Sequence, residues 1–373
     1  MSSVSITRCP DYDNERIFKA ISKSIGLLGG IEQFVKEGER ILIKPNLLAG
    51  KPPEAAVTTH PSVVRAVIRL VKSAGATPVV GDSPGLGSAN KTAEKCGVLR
   101  VCQEEGVEFV DLKTLVITEN PNGRTFKRLE VAKEALECDG IINLPKLKTH
   151  AQMFLTLGVK NLFGCVPGKL KPQWHLSAGV ESLHFASMLL DLYAFLNPRL
   201  TVLDGVVGME GNGPGNGDPR QIGLIFCGAD AIALDIVVTG ILGGKPGDLP
   251  ILKAAHLFGI RPEIQVLGED IAEIKVDGFR FPPLSSVNFA AKLPYFMDKR
   301  LRKALTSRPH VNRGACTLCG ICVRLCPAEI MDKTNRINID YDKCIRCYCC
   351  QEMCPEGAIS PKEGWLKKII PGL

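Results

Sequence analysis

Residues 40–46, Arg-Ile-Leu-Ile-Lys-Pro-Asn, are an apolar run that ends abruptly in polar residues. A strand buried on both faces of a parallel sheet reads this way, because both of its sides need apolar cover and only its exit does not. Outward from it, Pro61 to Ser73 has helical periodicity, with Thr59 placed to cap it. Thr77 to Asp82 (TPVVGD) is a second strand, closed by the turn Ser83-Pro84-Gly85. Val107–Asp111, Gly140–Leu144, Arg199–Asp204 and Ile222–Cys227 read as further strands. Helices are expected between them, notably Val131–Cys138, Leu183–Leu196 and Ala229–Leu242. Alternation of this kind predicts an α/β domain, a mostly parallel sheet covered by helices, over residues 1–280.

The chain of 373 residues, 45% of them hydrophobic, is long enough for that domain and a smaller one. No apolar run reaches the length of a spanning helix, and Met1 to Asn14 is polar, unlike a signal peptide. Cytoplasmic location follows as the expectation, with thiols kept reduced. Residues 281–312 read as a linker holding Pro282, Pro283 and a basic stretch. Between Lys292 and Arg308 there are six Lys/Arg against the single acid Asp298. Such a stretch is a solvated linker or helix face, or else it docks on a membrane surface or a partner. The net charge of +7 is modest and no DNA-binding motif is evident, so no nucleic-acid partner is expected.

Nine of the fifteen cysteines fall between Cys316 and Cys354, too clustered for a disulfide scaffold in a reducing compartment. Cys316-x2-Cys319-x2-Cys322-x3-Cys326-Pro327 is repeated as Cys344-x2-Cys347-x2-Cys350-x3-Cys354-Pro355. In the bacterial ferredoxin run three close thiolates wrap one cubane and the fourth reaches the other. Cys316, Cys319, Cys322 and Cys354 are therefore assigned to one [4Fe–4S] cluster, and Cys344, Cys347, Cys350 and Cys326 to a second. Two zinc sites are the alternative, but zinc motifs rarely repeat all eight cysteines with both prolines. Residues 313–373 are thus expected to be a small ferredoxin-like α+β domain with two clusters, carrying electrons. Cys349 is a spare thiol by the repeat alignment. The tail 364–373 is short and amphipathic.

Several segments of the large domain carry a resemblance. They are Ile43-Lys44-Pro45-Asn46, Thr59-His60-Pro61, Gly81-Asp82-Ser83-Pro84, Asn143 through His150, Thr156, Gly158 through Gly164, Asp204-Gly205 and the glycine-rich 208–219. In this order and spacing the chain resembles the widespread family called domain of unknown function 362. Members often carry a C-terminal ferredoxin module, and the family brings an architecture but no general activity.

Polar residues follow three of the apolar strands, and the carboxyl ends of parallel strands are where open α/β sheets bind ligands. Lys44 and Asn46 follow the first, Asp82 and Ser83 the next, and Lys146, Lys148 and His150 a later one. Alternate residues of an extended segment point the same way, so the last three could share a face. Converging beside Asp82 and Asp204, such groups suit an anionic substrate, with His150 or His60 as proton donor. The candidate catalytic residues are His150, Lys148 and Lys160. The candidate substrate-binding residues are Lys44, Asn46, His60, Asp82, Lys146, Asn161 and Asp204. Blander readings stand beside these: a lysine after a strand is commonly solvated, and His60 before Pro61 is equally a helix cap. Met209–Pro219 (MEGNGPGNGDP) either cradles a phosphate, forms a lid or is an irregular loop; no Walker or dinucleotide pattern is present. Cys165 is either a thiol near the site or a small buried residue.

The leading functional reading is a ferredoxin-fused oxidoreductase that delivers electrons to an anionic substrate or cofactor in the large domain. The alternative is a non-catalytic electron-carrier subunit that docks partner redox enzymes; a redox sensor ranks last. A redox partner protein is expected in either of the first two. A flavin would relay single electrons into two-electron chemistry, but no sequence signature marks one.

Overall fold

The computed structural model describes residues 1–85, 87–179, 181–283 and 307–363. Most of the basic stretch and the whole tail 364–373 lie outside them.

The strands of the large domain are β1 (Ser2–Arg8), β2 (Arg40–Pro45), β3 (Thr77–Asp82), β4 (Glu108–Asp111), β5 (Leu115–Glu119), β6 (Arg128–Ala132), β7 (Gly140–Leu144), β8 (Lys146–His150), β9 (Phe154–Thr156), β10 (Leu200–Glu210), β11 (Asp218–Gly228) and β12 (Ile264–Gly268). Ten of them form one sheet in the order β12-β1-β11-β10-β7-β2-β3-β4, with β8 paired to β10 and β9. Strands β10, β7, β2, β3 and β4 run parallel to one another; β11 is antiparallel to both β10 and β1. The sheet is thus mostly parallel, as expected.

Period-2 alternation divides β2 between two cores. Ile41 and Ile43 pack with helices Asn14–Gly26, Pro61–Ser73 and Val98–Glu104, while Leu42 faces the side covered by Ser182–Leu196, Ala231–Ile241 and Pro250–Leu257. With both faces covered, only the strand ends stay open to a ligand. Helix Pro61–Ser73 has the expected bounds, and of the two candidate caps His60 is the one that closes it. His60 Nδ1 accepts from Ser62 N (3.2 Å), and Thr59 is turned to the sheet, donating to the Leu144 carbonyl (2.6 Å).

Three sequence expectations need correction. The polar N-terminus is an internal strand, β1, with Val4, Ser5 and Ile6 fully buried. Its serines hide the apolar period; Ser5 is satisfied by Ser24 (2.7 Å to its carbonyl, 2.8 Å to its hydroxyl). The helix expected over 131–138 is the end of β6 followed by a single turn, Lys133–Leu136. The strands at 199–204 and 222–227 are both longer, forming an antiparallel pair whose far end carries the glycine-rich loop.

The C-terminal module holds β13 (Arg308–Val311), β14 (Met331–Lys333), β15 (Ile337–Ile339), β16 (Ile359–Lys362) and helices Ile321–Arg324 and Cys349–Glu352. Strand β13 pairs with β16, so residues 308–311, read from sequence as the end of the linker, belong to the module.

Candidate functional site

At the carboxyl edge of the sheet, β2 delivers Lys44, β3 delivers Asp82, β8 delivers Lys148 and His150, and the turn Gly158–Asn161 delivers Lys160 and Asn161. These six residues line, with Asn46, one cavity of about 90 Å³. Lys44, 1% exposed, lies 2.7 Å from Asp82 Oδ1 and donates to the Pro45 carbonyl (2.7 Å); Asp82 Oδ2 accepts from Leu47 N (2.6 Å). A buried ion pair of this kind persists only when its remaining atoms are satisfied too. The backbone behind it must be glycine: a Cβ on Gly164 would fall 2.0 Å from Asp82 Oδ1 and 2.3 Å from Lys44 Nζ.

A chain of amides fixes the next rank. Asn46 Nδ2 donates to Asn161 Oδ1 (2.9 Å), Asn161 Nδ2 to Asn143 Oδ1 (2.9 Å), and Asn143 Nδ2 to the Gly158 carbonyl (2.9 Å). Asn46 Oδ1 is thereby left to accept from Lys148 Nζ (2.8 Å), whose second bond goes to the Val57 carbonyl (2.7 Å). Both acceptors are neutral. Burial pushes the Lys148 ammonium down to about 7, Glu352 opposing and Lys160 reinforcing the shift.

The remaining wall comes from the C-terminal module: Leu325, Cys349, Glu352 and Met353. His150 Nδ1 accepts from Gln152 N (3.1 Å) and Met153 N (3.2 Å), so its proton sits on Nε2, 2.5 Å from Glu352 Oε1. Burial and the nearby Lys160 push the imidazole down to about 4, so it is neutral at physiological pH. Burial works against ionisation of Glu352, but His150 and Lys160 outweigh it and hold the carboxyl well below the usual range. The short contact of His150 Nε2 with Glu352 Oε1 joins the two domains.

The glycine-rich loop is the seat of the module. Gln351 Nε2 donates to the Asn212 carbonyl (3.1 Å), Asn212 Oδ1 (2.9 Å) and the Gly213 carbonyl (2.9 Å). Asn216 Nδ2 donates to the Cys354 carbonyl (3.0 Å), and Lys51 Nζ ties the loop down through the Gly215 carbonyl (2.7 Å) and Asn216 Oδ1 (2.8 Å). Close backbone approach explains the glycines: a Cβ on Gly213 would meet the Thr149 carbonyl at 2.3 Å.

Three candidates, His60, Lys146 and Asp204, do not line this cavity. They form a sealed network instead. Lys146 Nζ donates to Asp204 Oδ2 (2.8 Å) and Tyr12 Oη (2.6 Å), Tyr12 Oη donates to Asp204 Oδ1 (2.8 Å), and His60 stacks on Tyr12 at 3.6 Å. The expected common face of Lys146, Lys148 and His150 is broken because the β8–β10 register shifts between Asp204 and Met209. Burial pushes His60 down to about 4, with Asp204 opposing, which suits its role as a cap. Cys165 is fully buried, and burial pushes its thiol up to about 12, so it is a core residue and not a reactive thiol.

Several site residues carried no sequence signal. Lys171 lines the cavity and donates to the Ser83 carbonyl; Glu352 sits at an unconstrained position inside the cysteine motif. Asp235 could have been found, as the lone acid in the apolar helix AIALDIVVTGI. Its Oδ1 accepts from Gly158 N (2.7 Å) and its Oδ2 from Val159 N (3.2 Å), holding the turn that presents Lys160 and Asn161. Burial pushes its carboxyl up to about 8, against the pull of these two N–H groups. Asp235→Ala leaves both donors buried and unpaired, and is expected to lower the stability of the large domain by about 2–4 kcal/mol in urea unfolding. Asp235→Asn, which keeps an acceptor, should cost visibly less; equal losses would rule out the hydrogen bonds as the cause.

In the module, Cys316, Cys319, Cys322 and Cys354 line one cavity of about 20 Å³, with Ile337 and Ile359. Cys326, Cys344, Cys347 and Cys350 line another of about 20 Å³, with Met331 and Tyr348. The fourth cysteine of each run thus crosses to the other cavity. Among the described residues no three His, Cys, Asp or Glu side chains converge on a point, as a single metal ion requires. Thiols spread around a cavity suit a polynuclear cluster.

Comparison with known proteins gives the following. A thylakoid-associated protein of Synechocystis sp. is 41% identical over 285 residues, which are 76% of this chain and 88% of that protein. Among solved structures, the lactate racemase apoprotein from Thermoanaerobacterium thermosaccharolyticum aligns with a TM-score of 0.41 at 13% identity, over 63% of this chain and 56% of that one. A Thermotoga maritima protein aligns with a TM-score of 0.38, also at 13%, over 60% and 57%. The model of a 4Fe-4S dicluster domain matches residues 308–355, so the module is an iron–sulfur module. The model of the domain of unknown function DUF362 matches residues 41–240, from the first parallel strand through the lysine-lined cavity and the seat, and the chain belongs to that family.

Proposed function

We propose that this protein is an iron–sulfur oxidoreductase whose C-terminal module supplies electrons to an anionic substrate or cofactor in the cavity at the sheet edge. The observation that carries this reading is the shared wall. Leu325, Cys349 and Met353 line the cavity, and each is followed directly in sequence by one of the cluster-type cysteines, Cys326, Cys350 and Cys354. Cys316, Cys319, Cys322 and Cys354 would hold one cluster and Cys344, Cys347, Cys350 and Cys326 the second. When bound, [4Fe–4S] clusters store and pass single electrons. The chain's own groups do the rest. Lys148 and Lys160 attract and orient the anion, Lys148 can give up a proton near neutral pH, and the Lys44–Asp82 pair fixes the floor. Leu47, Phe163, Leu325 and Met353 limit water. The cavity is smaller than the ~150 Å³ that holds a benzene in an engineered protein, so it does not enclose a flavin ring.

Of the eight cysteines Cys319 alone is exposed, which offers a redox partner protein an approach. We place the protein in a reducing compartment, in the cytoplasm or at a membrane surface of the kind the Synechocystis relative is named for. No helix among the described residues is long and apolar enough to cross a membrane.

The test is mass spectrometry of small molecules released on denaturing anaerobically purified, iron-loaded protein, followed by addition of the recovered molecule to reduced protein. A stoichiometric anion that reoxidises the module, read in its visible absorbance, is the expected result. Iron-replete protein with no bound molecule would sink the enzyme reading and leave the electron carrier that docks partner enzymes.

A further inference from the structure

The cavity lining carries four lysines, Lys44, Lys148, Lys160 and Lys171, against two carboxylates, Asp82 and Glu352. Lys44 is neutralised by Asp82, whereas Glu352 faces an imidazole without charge. With Lys148, Lys160 and Lys171 all protonated, three ammonium groups and one carboxylate are left, an excess of two positive charges. Lys160 makes this excess hard to dismiss. It is 9% exposed and has no hydrogen-bond or ion-pair partner among the described residues; its Nζ lies 5.6 Å from the centre of the Phe163 ring. Lys171 Nζ approaches the same ring at 5.6 Å. Next to them the Thr156 hydroxyl and His175 Nδ1 are buried, line the cavity and lack hydrogen-bond partners among the described residues. Glu352 acts on Lys160 only from beyond ion-pair distance, and a buried ammonium with no direct partner, beside an unpaired hydroxyl, is costly unless a ligand completes it.

We infer that the cavity binds a compact oxygen-bearing dianion, an inorganic oxyanion or a short dicarboxylate, held by Lys160 with Lys148 and Lys171. The inference rests on the reading of this cavity as the substrate site and gives that substrate its charge and size. Monoanions leave one of the two surplus charges unmet, and neutral analogues leave both. The volume of about 90 Å³ sets the limit on size.

Binding should also take up protons. Burial pushes Lys148 down to about 7 and Lys171 down to about 8. Lys148 faces Glu352 and Asp82, which favour its charge, and Lys160 and Lys146, which oppose it; neutral His150 lines the same wall. Lys171 faces Asp82 and Cys165 on the favouring side, Lys44 and Lys160 on the opposing side. Each is partly neutral near pH 7.5 without ligand, and an arriving dianion favours the charged forms. Affinity therefore falls as pH rises through this range.

The experiment is isothermal titration of anaerobically purified, cluster-loaded full-length protein with malonate, inorganic phosphate, acetate and malonamide. The two dianions separate dicarboxylate from inorganic sources. Saturable binding of malonate or phosphate is expected, with acetate and malonamide at least about tenfold weaker. Malonate, a dianion throughout, should bind more weakly from about pH 6.5 to about pH 8.5. Its heat should vary with the buffer's ionisation enthalpy in the sense of proton uptake. Lys160→Met should weaken malonate or phosphate at least about tenfold with the visible cluster absorbance unchanged, and Lys171→Met, at a less buried position, should weaken it too. Malonamide binding as well as malonate, no saturable binding of either dianion, or full affinity in both variants would overturn the inference. Dianion binding with no reoxidation of the module would leave it standing while sinking the redox reading. A neutral acceptor that reoxidises the module, and that malonate does not displace, would do the reverse.

Discussion

Lys44→Met is expected to destabilise the large domain by about 3–5 kcal/mol, because it strands the Asp82 carboxylate in the interior. Asp82 is only 3% exposed and its Oδ2 is already committed to Leu47 N at 2.6 Å, so it cannot turn to water. Lys171 and Lys148, whose charges Asp82 favours, supply partial compensation, and this sets the lower end of the range. The double variant Lys44→Met/Asp82→Asn should recover more than half of the loss, since an amide keeps the acceptor for Leu47 and no charge stays behind. Urea unfolding followed by far-UV circular dichroism reads both. A single variant within about 1 kcal/mol of wild type would mean that the pair contributes nothing beyond its packing. Gly164→Ala tests the same place from the other side. Its new methyl occupies the position of the ion pair, and no side-chain rotation can relieve a contact of 2.0 Å to a carboxylate that is itself pinned.

What could be read in the sequence was what depends on neighbours along the chain. Strands β3 and β7 were legible to the residue, because a strand covered on both faces must be apolar throughout. Lys44 and Asp82 were legible as residues of the candidate site because they close such runs, and Lys148 because it follows one. Strand β1 was not, since its polar side chains are satisfied by a helix rather than by water. Lys146 and Asp204 failed for a different reason. Counting residues predicts a common face for 146, 148 and 150, but a register shift against β10 redirects the first of them to Tyr12. The most consequential contact, His150 with Glu352, joins residues about two hundred positions apart, and nothing local marks it. The glycine-rich loop was noticed and left open between cradle, lid and irregular turn. Its glycines are required by a protein surface, not by a phosphate, and composition alone does not separate the two.

Removal of the iron–sulfur clusters by acid or chelator is expected to unfold the module and leave the large domain folded. The buried core of the module is Cys322, Met331, Ile337, Cys350 and Ile359, so two of its five members are themselves cysteines assigned to clusters. Its strands are three or four residues long and pair only in twos. A core of that size does not offset the entropy of ordering the chain, and the metal centre must make up the difference. The large domain has two extensive cores that contain none of these residues. Hydrogen exchange should therefore show loss of protection across 308–362 and in the seat at 212–217, while β2 and β7 keep theirs. The seat offers mainly the Gln351, Asn212 and Asn216 amides, bonds exchangeable with water and each worth only about 1 kcal/mol net, too few to hold an otherwise unfolded chain in place. Protection retained in the module after full iron loss would show that docking, rather than metal, folds it. Loss of β2 and β7 together with the module would show that the wall formed by Leu325, Glu352 and Met353 supports the sheet edge itself. Selective loss, the outcome expected, would make the lysine cavity a site that is complete only when the clusters are in place, so that Glu352 meets His150 only in protein able to carry electrons.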